Sequence, residues 1–211
     1  MDLNLLTHPY AARRAPLVAA NGVVATSHPL ASQAGLRVLQ AGGNAIDAAL
    51  AAAAALAVLE PPSNGLGGDG FALIWDGARL HGINGAGRAP AALSVEALAR
   101  AGHGEMPSHG WLPVTVPGVV QLWGDMHARF GSQPLEQIFA QAIAYADEGA
   151  PVPPSVSASW AHGVAAARRR PGPEFAGFLS TYAPGGQAPR VMRWRNKSAN
   201  CEYRGTGLSA K

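Results

Sequence analysis

The chain holds 211 residues, 48% of them hydrophobic and only 14% charged, which is material for a sizeable core and excludes a disordered composition. The formal net charge of +3 misleads about partners: residues 1–190 carry eleven Arg and no Lys against twelve acidic side chains, a balance of −1, while residues 191–211 carry three Arg and two Lys against one Glu, a balance of +4. Nucleic-acid binding needs a basic face spread over a folded surface, and the body of the chain has none.

Along the chain, Val23 to Thr26 is a short strand candidate. Pro29 to Gln40 predicts a helix, preceded by Ser27 or His28 as its cap and ended by the Gly42-Gly43 pair. Asn44 sits where an N-cap belongs, ahead of an alanine-rich helix that runs to Leu59 and stops before Pro61-Pro62. The apolar run from Ala48 to Leu59 is too short to span a bilayer, and its small residues suit close packing in a core. Two strands follow, Phe71 to Trp75 and Arg79 to Asn84, joined by Asp76-Gly77, a strong signal for a two-residue hairpin turn.

A short helix is expected at Val95 to Arg100, then a Gly/His/Pro-rich connection from Gly102 to Pro113. Longer helices are expected at Gly118 to Arg129 and Leu135 to Glu148. In the second, Leu135, Ile138, Phe139, Ala142, Ile143 and Ala146 recur at helical spacing. Pro151 to Pro154 breaks the pattern, and Ser155 to Arg170 resumes a helix. Its Arg168-Arg169-Arg170 end reads as solvated, because cations suit a helix C-terminus. Alternating helices and strands suggest an α/β chain with a parallel sheet, whereas the Asp-Gly hairpin favours antiparallel strands.

The stretch from Pro61 to Phe71 carries the most information. Gly65, Gly67, Gly68 and Gly70 permit tight turning, positive φ and close approach of another backbone or a ligand. Gly65, Gly67 and Gly70 also spell G-x-G-x-x-G. A dinucleotide fingerprint requires strand, glycine turn and then helix, so that a pyrophosphate meets a helix N-terminus. Here the helix comes first and the strand follows, so that reading fails.

Other chemistry is sparse. There is no G-x-S-x-G elbow. The adjacent Ser27 and His28 lie at a turn into a helix, where capping explains them better. The seven histidines show no paired metal-ligand spacing, and His103 and His109 read as solvated loop residues. No metal or cofactor is expected. Cys201, the sole cysteine, cannot form an intrachain disulfide and fits a reducing compartment. Met1 to Ala20 lacks an apolar run ahead of a small-residue cleavage site, which gives the cytoplasm as the expected location.

Three ordered motifs carry a resemblance: Asn21 to Ser32, Gly42 to Ala49, and Asn64 to Phe71. Together with Gly87-Arg88-Ala89-Pro90 and Val116-Pro117-Gly118, they resemble the start of the γ-glutamyltransferase family of N-terminal-nucleophile (Ntn) hydrolases, over residues 21 to 190. The resemblance implies a four-layer αββα sandwich, mixed α/β (α+β) in class and incomplete without a downstream small subunit. It implies catalysis by a threonine at the start of that subunit, whose freed α-amine serves as the base. Thr7, Thr26, Thr115, Thr181 and Thr206 all lie outside that motif's context, so no catalytic residue is expected here.

In the family an arginine after the second strand pairs with the α-carboxylate of the γ-glutamyl group. Aligning Ala89-Pro90 places that position at Ala86, which cannot pair. Arg88, two residues on, would share its face in an extended strand. Arg88 either takes over that role or is structural, and Ala86 favours a different acyl specificity, as in an acylase-like or amidohydrolase-like relative; an inactive truncated product is the other alternative. Arg88 and Asn84 are the candidate substrate-binding residues, and Gly65, Gly67, Gly68 and Gly70 a structural glycine loop. Expected partners are the missing half of the enzyme and a small amide or γ-glutamyl substrate, with no nucleic acid and no membrane. The chain divides into an N-terminal arm (1–20), the family-like segment (21–190) and an atypical tail (191–211), which holds both lysines and Cys201 and reads as out of frame or otherwise foreign to the family.

Overall fold

His28 opens the first helix, and the choice between it and Ser27 is settled by geometry. In the computed structural model, which describes residues 17–170, 172, 175–189 and 193–194, the His28 ring Nδ1 accepts the Leu30 N–H at 3.2 Å, while the Ser27 hydroxyl turns away to Glu60. Helix α1 spans Pro29–Gln40 as expected. It ends in a Schellman turn: the Gly42 and Gly43 N–H groups bond to the Leu39 and Val38 carbonyls, with Gly42 at φ +91°.

Asn44 then starts α2 (Ala45–Leu59) with a complete capping box. Its side chain accepts from the Ile46 and Asp47 N–H groups, and Asp47 reaches back to the Asn44 N–H. The small residues of α2 let α1 lie close against it. A Cβ added at Gly35 would sit 2.8 Å from the Ala48 carbonyl oxygen.

Strands β1 (Phe71–Trp75) and β2 (Leu80–Asn84) pair antiparallel, Phe71 opposite Asn84 and Trp75 opposite Leu80, which decides against the parallel alternative for this pair. The turn differs from the expected Asp76-Gly77. Asp76 Oδ1 accepts the Ala78 and Arg79 N–H groups, making Asp76 the residue before the turn. The central pair is Gly77-Ala78, with Gly77 supplying φ +98°.

Beyond the hairpin come α3 (Val95–Arg100), α4 (Val119–Phe130), α5 (Leu135–Glu148), the two-residue β3 (Ala150–Pro151), α6 (Pro154–Arg168), α7 (Ala176–Tyr182) and the two-residue β4 (Arg193–Trp194). Gly118 caps α4 instead of belonging to it, and α6 begins and ends slightly earlier than expected. Helix α7 and the β3–β4 pair had no sequence signal. The Val23–Thr26 strand does not form, because no described segment lies alongside to complete a ladder.

Two buried clusters organise the main body. Ala31 and Ala34 of α1, Ala54, Ala55 and Leu59 of α2, and Ala142 of α5 form one. Leu50 and Ala51 of α2, Ile74 of β1, Leu122 and Met126 of α4, and Ile138 of α5 form the other. Helix α2 thus sits centrally, under the inner face of the hairpin. Val156, Trp160 and Val164 of α6 pack with Ala183 and the α7 side chains in a separate cluster. No helix among the described residues is long and apolar enough to cross a membrane.

Candidate functional site

The hairpin has two unlike faces, as the alternation of a strand requires. Ala72, Ile74 and Ile83 point into the core. Phe71, Leu73, Trp75 and Leu80 point the other way and are between 59% and 79% exposed. Register places Asn84 opposite Phe71 on that outer face. The extended chain continues the alternation, so Asn84, Ala86 and Arg88 are all exposed while Gly85 and Gly87 are half-buried. The expectation that Arg88 shares a face with position 86 therefore agrees with the geometry. The Arg88 side chain has no partner among the described residues. Asn84 Oδ1 accepts the Ala86 N–H at 2.8 Å, which shapes the turn and leaves the amide nitrogen for another partner.

Glycines hold this segment against two others. The Gly70 and Gly85 peptides exchange N–H···O=C bonds, extending the hairpin, and the Gly118 and Val119 N–H groups both donate to the Gly68 carbonyl. A Cβ at Gly87 would lie 1.4 Å from the Val116 carbonyl oxygen, and one at Gly118 would lie 2.2 Å from that of Gly85. Asp69 bonds across the junction to Gly87 and Thr115. Sequence reasoning missed Gly85, Gly118, Asp69 and Thr115 as parts of one arrangement. The alternation Gly85-x-Gly87 was the available signal.

The glycine loop itself needs correcting. None of Gly65, Gly67, Gly68 and Gly70 adopts positive φ. Only Gly70 is required by packing, since a Cβ there would meet Leu122 at 2.5 Å, whereas Gly65, Gly67 and Gly68 face open space. Gly65, Gly68 and Gly70 border a cleft of about 720 Å³ between α2, the loop, β1 and α4. Ile46, Ala49, Leu56, Trp75 and Trp123 are among its apolar lining residues, and Asn64 and Asp69 among its polar ones. Neither Asn84 nor Arg88 lines it, although Phe71, opposite Asn84, and Asp69, bonded to Gly87, do.

Ser27 and His28 take structural roles. The Ser27 hydroxyl donates to Glu60 Oε2 at 2.7 Å, and the Asn64 amide donates to the same oxygen at 3.3 Å. His28 is 2% exposed, and burial lowers its pKa from the ordinary 6.5 against a smaller opposing pull from Glu60. Its Nε2 is buried without a partner among the described residues. His103 and His109 are exposed, as expected. His109 Nε2 accepts from the Arg170 guanidinium at 2.7 Å, and Arg168 donates to the Gly186 carbonyl, so the basic helix end is partly engaged. No group of three or more His, Cys, Asp or Glu among the described residues could hold a metal ion.

The profile of the gamma-glutamyltranspeptidase family matches residues 31–203, starting inside α1 and running beyond Arg190. The chain is 38% identical over 183 residues to the oxamate amidohydrolase proenzyme of Klebsiella pneumoniae subsp. pneumoniae, covering 82% of this chain and 33% of that protein. It is 36% identical over 141 residues to the glutathione hydrolase proenzyme of Bacillus subtilis, covering 64% and 24% respectively. Among solved structures, cephalosporin acylase from Bacillus halodurans matches with a TM-score of 0.86 at 45% identity, over 97% of this chain and 39% of that one. The chain therefore spans about a third or less of the two curated relatives. Its helices on one face of an antiparallel hairpin correspond to part of the mixed α/β fold of the Ntn hydrolases, and the chain belongs to the gamma-glutamyltranspeptidase family.

Proposed function

We propose that this chain is the N-terminal, large-subunit-like portion of an Ntn amidohydrolase or acyltransferase that acts on amide-linked acids. In this reading a following polypeptide supplies the attacking threonine. The observation that carries it is the two-faced hairpin: its inner face is buried on α2 and α4, while Phe71, Leu73, Trp75 and Leu80 stand exposed on the other. Burying a side chain of this kind stabilises a fold by roughly 1.5–3 kcal/mol, so four left bare together mark one half of a sandwich. The cleft runs along the edge of β1 that pairs with no described strand. We read it as the seat of a further strand, which Gly65 and Gly68 leave room to approach.

This half would supply the frame and part of the acid-binding wall. Arg88 would bind a substrate carboxylate, for which a guanidinium is suited by its paired donors, with Asn84 beside it. Because Ala86 stands where the resemblance puts the arginine for a γ-glutamyl α-carboxylate, the reading favours another acyl group. Relatives named oxamate amidohydrolase and cephalosporin acylase accord with that preference, beside others named glutathione hydrolase. The competing reading is a truncated product that binds a small acid or a partner without catalysis. A cytoplasmic site of action belongs to the proposal and is tested by cell fractionation.

The test is to express the chain together with the polypeptide encoded directly downstream. Co-purification with new amidase activity supports the enzyme reading. A downstream frame with no Thr-initiated segment, or a co-purified pair without activity on any acyl amide, favours the inactive product.

A further inference from the structure

Three backbones meet beside the face that carries Asn84, Ala86 and Arg88, and glycines let them approach closely. They are residues 68–70, 85–88 and 115–119. Apart from the glycine contacts already described, the Val116 N–H donates to the Arg88 carbonyl at 3.0 Å. Among the described residues, the side chain that hydrogen-bonds into 85–88 from another segment is that of Asp69. Its Oδ1 accepts the Gly87 N–H at 3.3 Å and the Thr115 hydroxyl at 3.3 Å.

Glycine at 85 and 87 lets the segment lie directly on its neighbours, where a Cβ would meet Leu122 at 2.6 Å and the Val116 carbonyl oxygen at 1.4 Å respectively. A one-residue slip in an extended segment turns every side chain to the opposite face. That slip would turn Ala86 and Arg88 inward and leave the outer face to Gly85 and Gly87. Those close contacts exclude Ala86 and Arg88 from the inner positions, and the Asp69 bond at Gly87 pins the segment in the one register they allow, with Thr115 keeping the carboxylate aimed. We propose that Asp69 is a positioning residue that fixes the segment 84–88 so that Arg88 is presented on the candidate acid-binding face. This inference rests on the reading of Arg88 given above. Asp69 touches no substrate in it and acts through the Gly87 peptide.

Amide hydrogen exchange, read residue by residue by NMR on the full 211-residue chain, tests it. In Asp69→Ala the Gly87 and Val116 amides should exchange about tenfold faster or more, the loss of protection expected when a charge-assisted hydrogen bond goes. The Gly118 and Val119 amides, which bond to the Gly68 carbonyl, should keep their protection. Asp69→Asn retains an acceptor oxygen in the same place and should restore most of the protection at Gly87. Unchanged exchange at Gly87 in Asp69→Ala overturns the proposal, as does an equal loosening of all four amides that Asp69→Asn fails to reverse. Should Asp69→Ala not fold, Thr115→Val must still produce a smaller selective change at Gly87, and its absence there overturns the proposal equally. No substrate enters this measurement, so its failure leaves the acid-binding reading of Arg88 standing. If substrate binding instead proves indifferent to Arg88→Ala while the exchange pattern holds, that reading alone fails.

Discussion

Asp47, in the first turn of α2, accepts the Ser132 backbone N–H at 3.0 Å and its hydroxyl at 2.5 Å, from 85 residues away in sequence. Asp47 is fully buried, and it also closes the capping box with Asn44. The Asn44 amide in turn donates to the Phe130 carbonyl at 2.6 Å. One carboxylate therefore ties the start of α2 to the loop between α4 and α5. Asp47→Ala would strand several buried donors and should cost about 3 kcal/mol. Ser132→Ala should cost about 1 kcal/mol. Urea denaturation of the two variants measures both.

The same group makes stability depend on pH. Burial pushes the Asp47 carboxyl upward, but hydrogen bonds from the Ser132 hydroxyl and from the Asn44, Ser132 and Gln133 backbones outweigh it and hold its pKa below the ordinary 3.8. Asp76 is lowered too, chiefly by the His81 ring at 2.6 Å and then by the Arg79 and Ala78 N–H groups. A carboxylate whose folded pKa is depressed contributes stability above its unfolded pKa and loses it as pH falls through the folded value. Buried His28 is lowered from 6.5, so protonation favours the unfolded chain below that pH. Thermal melts should show a shallow decline beginning near pH 6.5, which His28→Gln removes, and a steeper one below about pH 4.

The glycines should separate into two classes on substitution. Gly87→Ala and Gly118→Ala force a Cβ into backbone oxygens and should cost more than ~3 kcal/mol or prevent folding. Gly65→Ala, Gly67→Ala and Gly68→Ala meet nothing in this chain and should change its stability by no more than ~0.5 kcal/mol. If Gly65 and Gly68 serve the approach of a further strand at the cleft they border, their substitutions should also weaken association with the downstream polypeptide. Melting of the variants, alone and with that polypeptide, checks both halves.

Much of this was legible beforehand because the signals are local. The bounds of α1, α3 and α5 follow from caps, glycine stops and the spacing of Leu135, Ile138 and Ala142. The hairpin was legible as a hairpin, but its turn shifted because the Asp76 carboxylate binds the next two N–H groups, which residue type alone did not reveal. Val23–Thr26 has strand composition without a neighbouring strand, and composition cannot supply a ladder. The junction around Asp69 joins segments far apart in sequence, and the local alternation Gly85-x-Gly87 signals a close approach without naming its partners. The proposed non-native tail at 191–211 lies almost wholly outside the described residues. Its Arg193–Trp194 pairs with Ala150–Pro151, and the family match runs to residue 203.

The exposed hairpin face should make the isolated chain self-associate, since a large bare apolar patch and an unpaired strand edge both promote it. Leu73→Lys with Leu80→Lys should shift the chain toward monomer in sedimentation experiments without unfolding it, because both side chains point away from the core. A wild-type chain that sediments as a stable monomer contradicts the half-sandwich reading.

Specificity in a rejoined enzyme should turn on positions 86 and 88. Ala86→Arg should raise kcat/KM for γ-glutamyl donors by about 10²-fold if the restored charge-assisted pair contributes ~3 kcal/mol. Arg88→Ala should chiefly abolish activity on acidic substrates. Efficient glutathione hydrolysis by the rejoined enzyme, unchanged by Arg88→Ala, would place the acid-binding pocket elsewhere.

In the proposed enzyme this chain frames a site whose attacking group lies on another polypeptide. Turnover of a chromogenic γ-glutamyl anilide and of an N-acyl anilide by the rigorously purified 211-residue chain, against a denatured control, tests it most directly. The account predicts no hydrolysis above the control for either compound, and saturable turnover by the chain alone would contradict it.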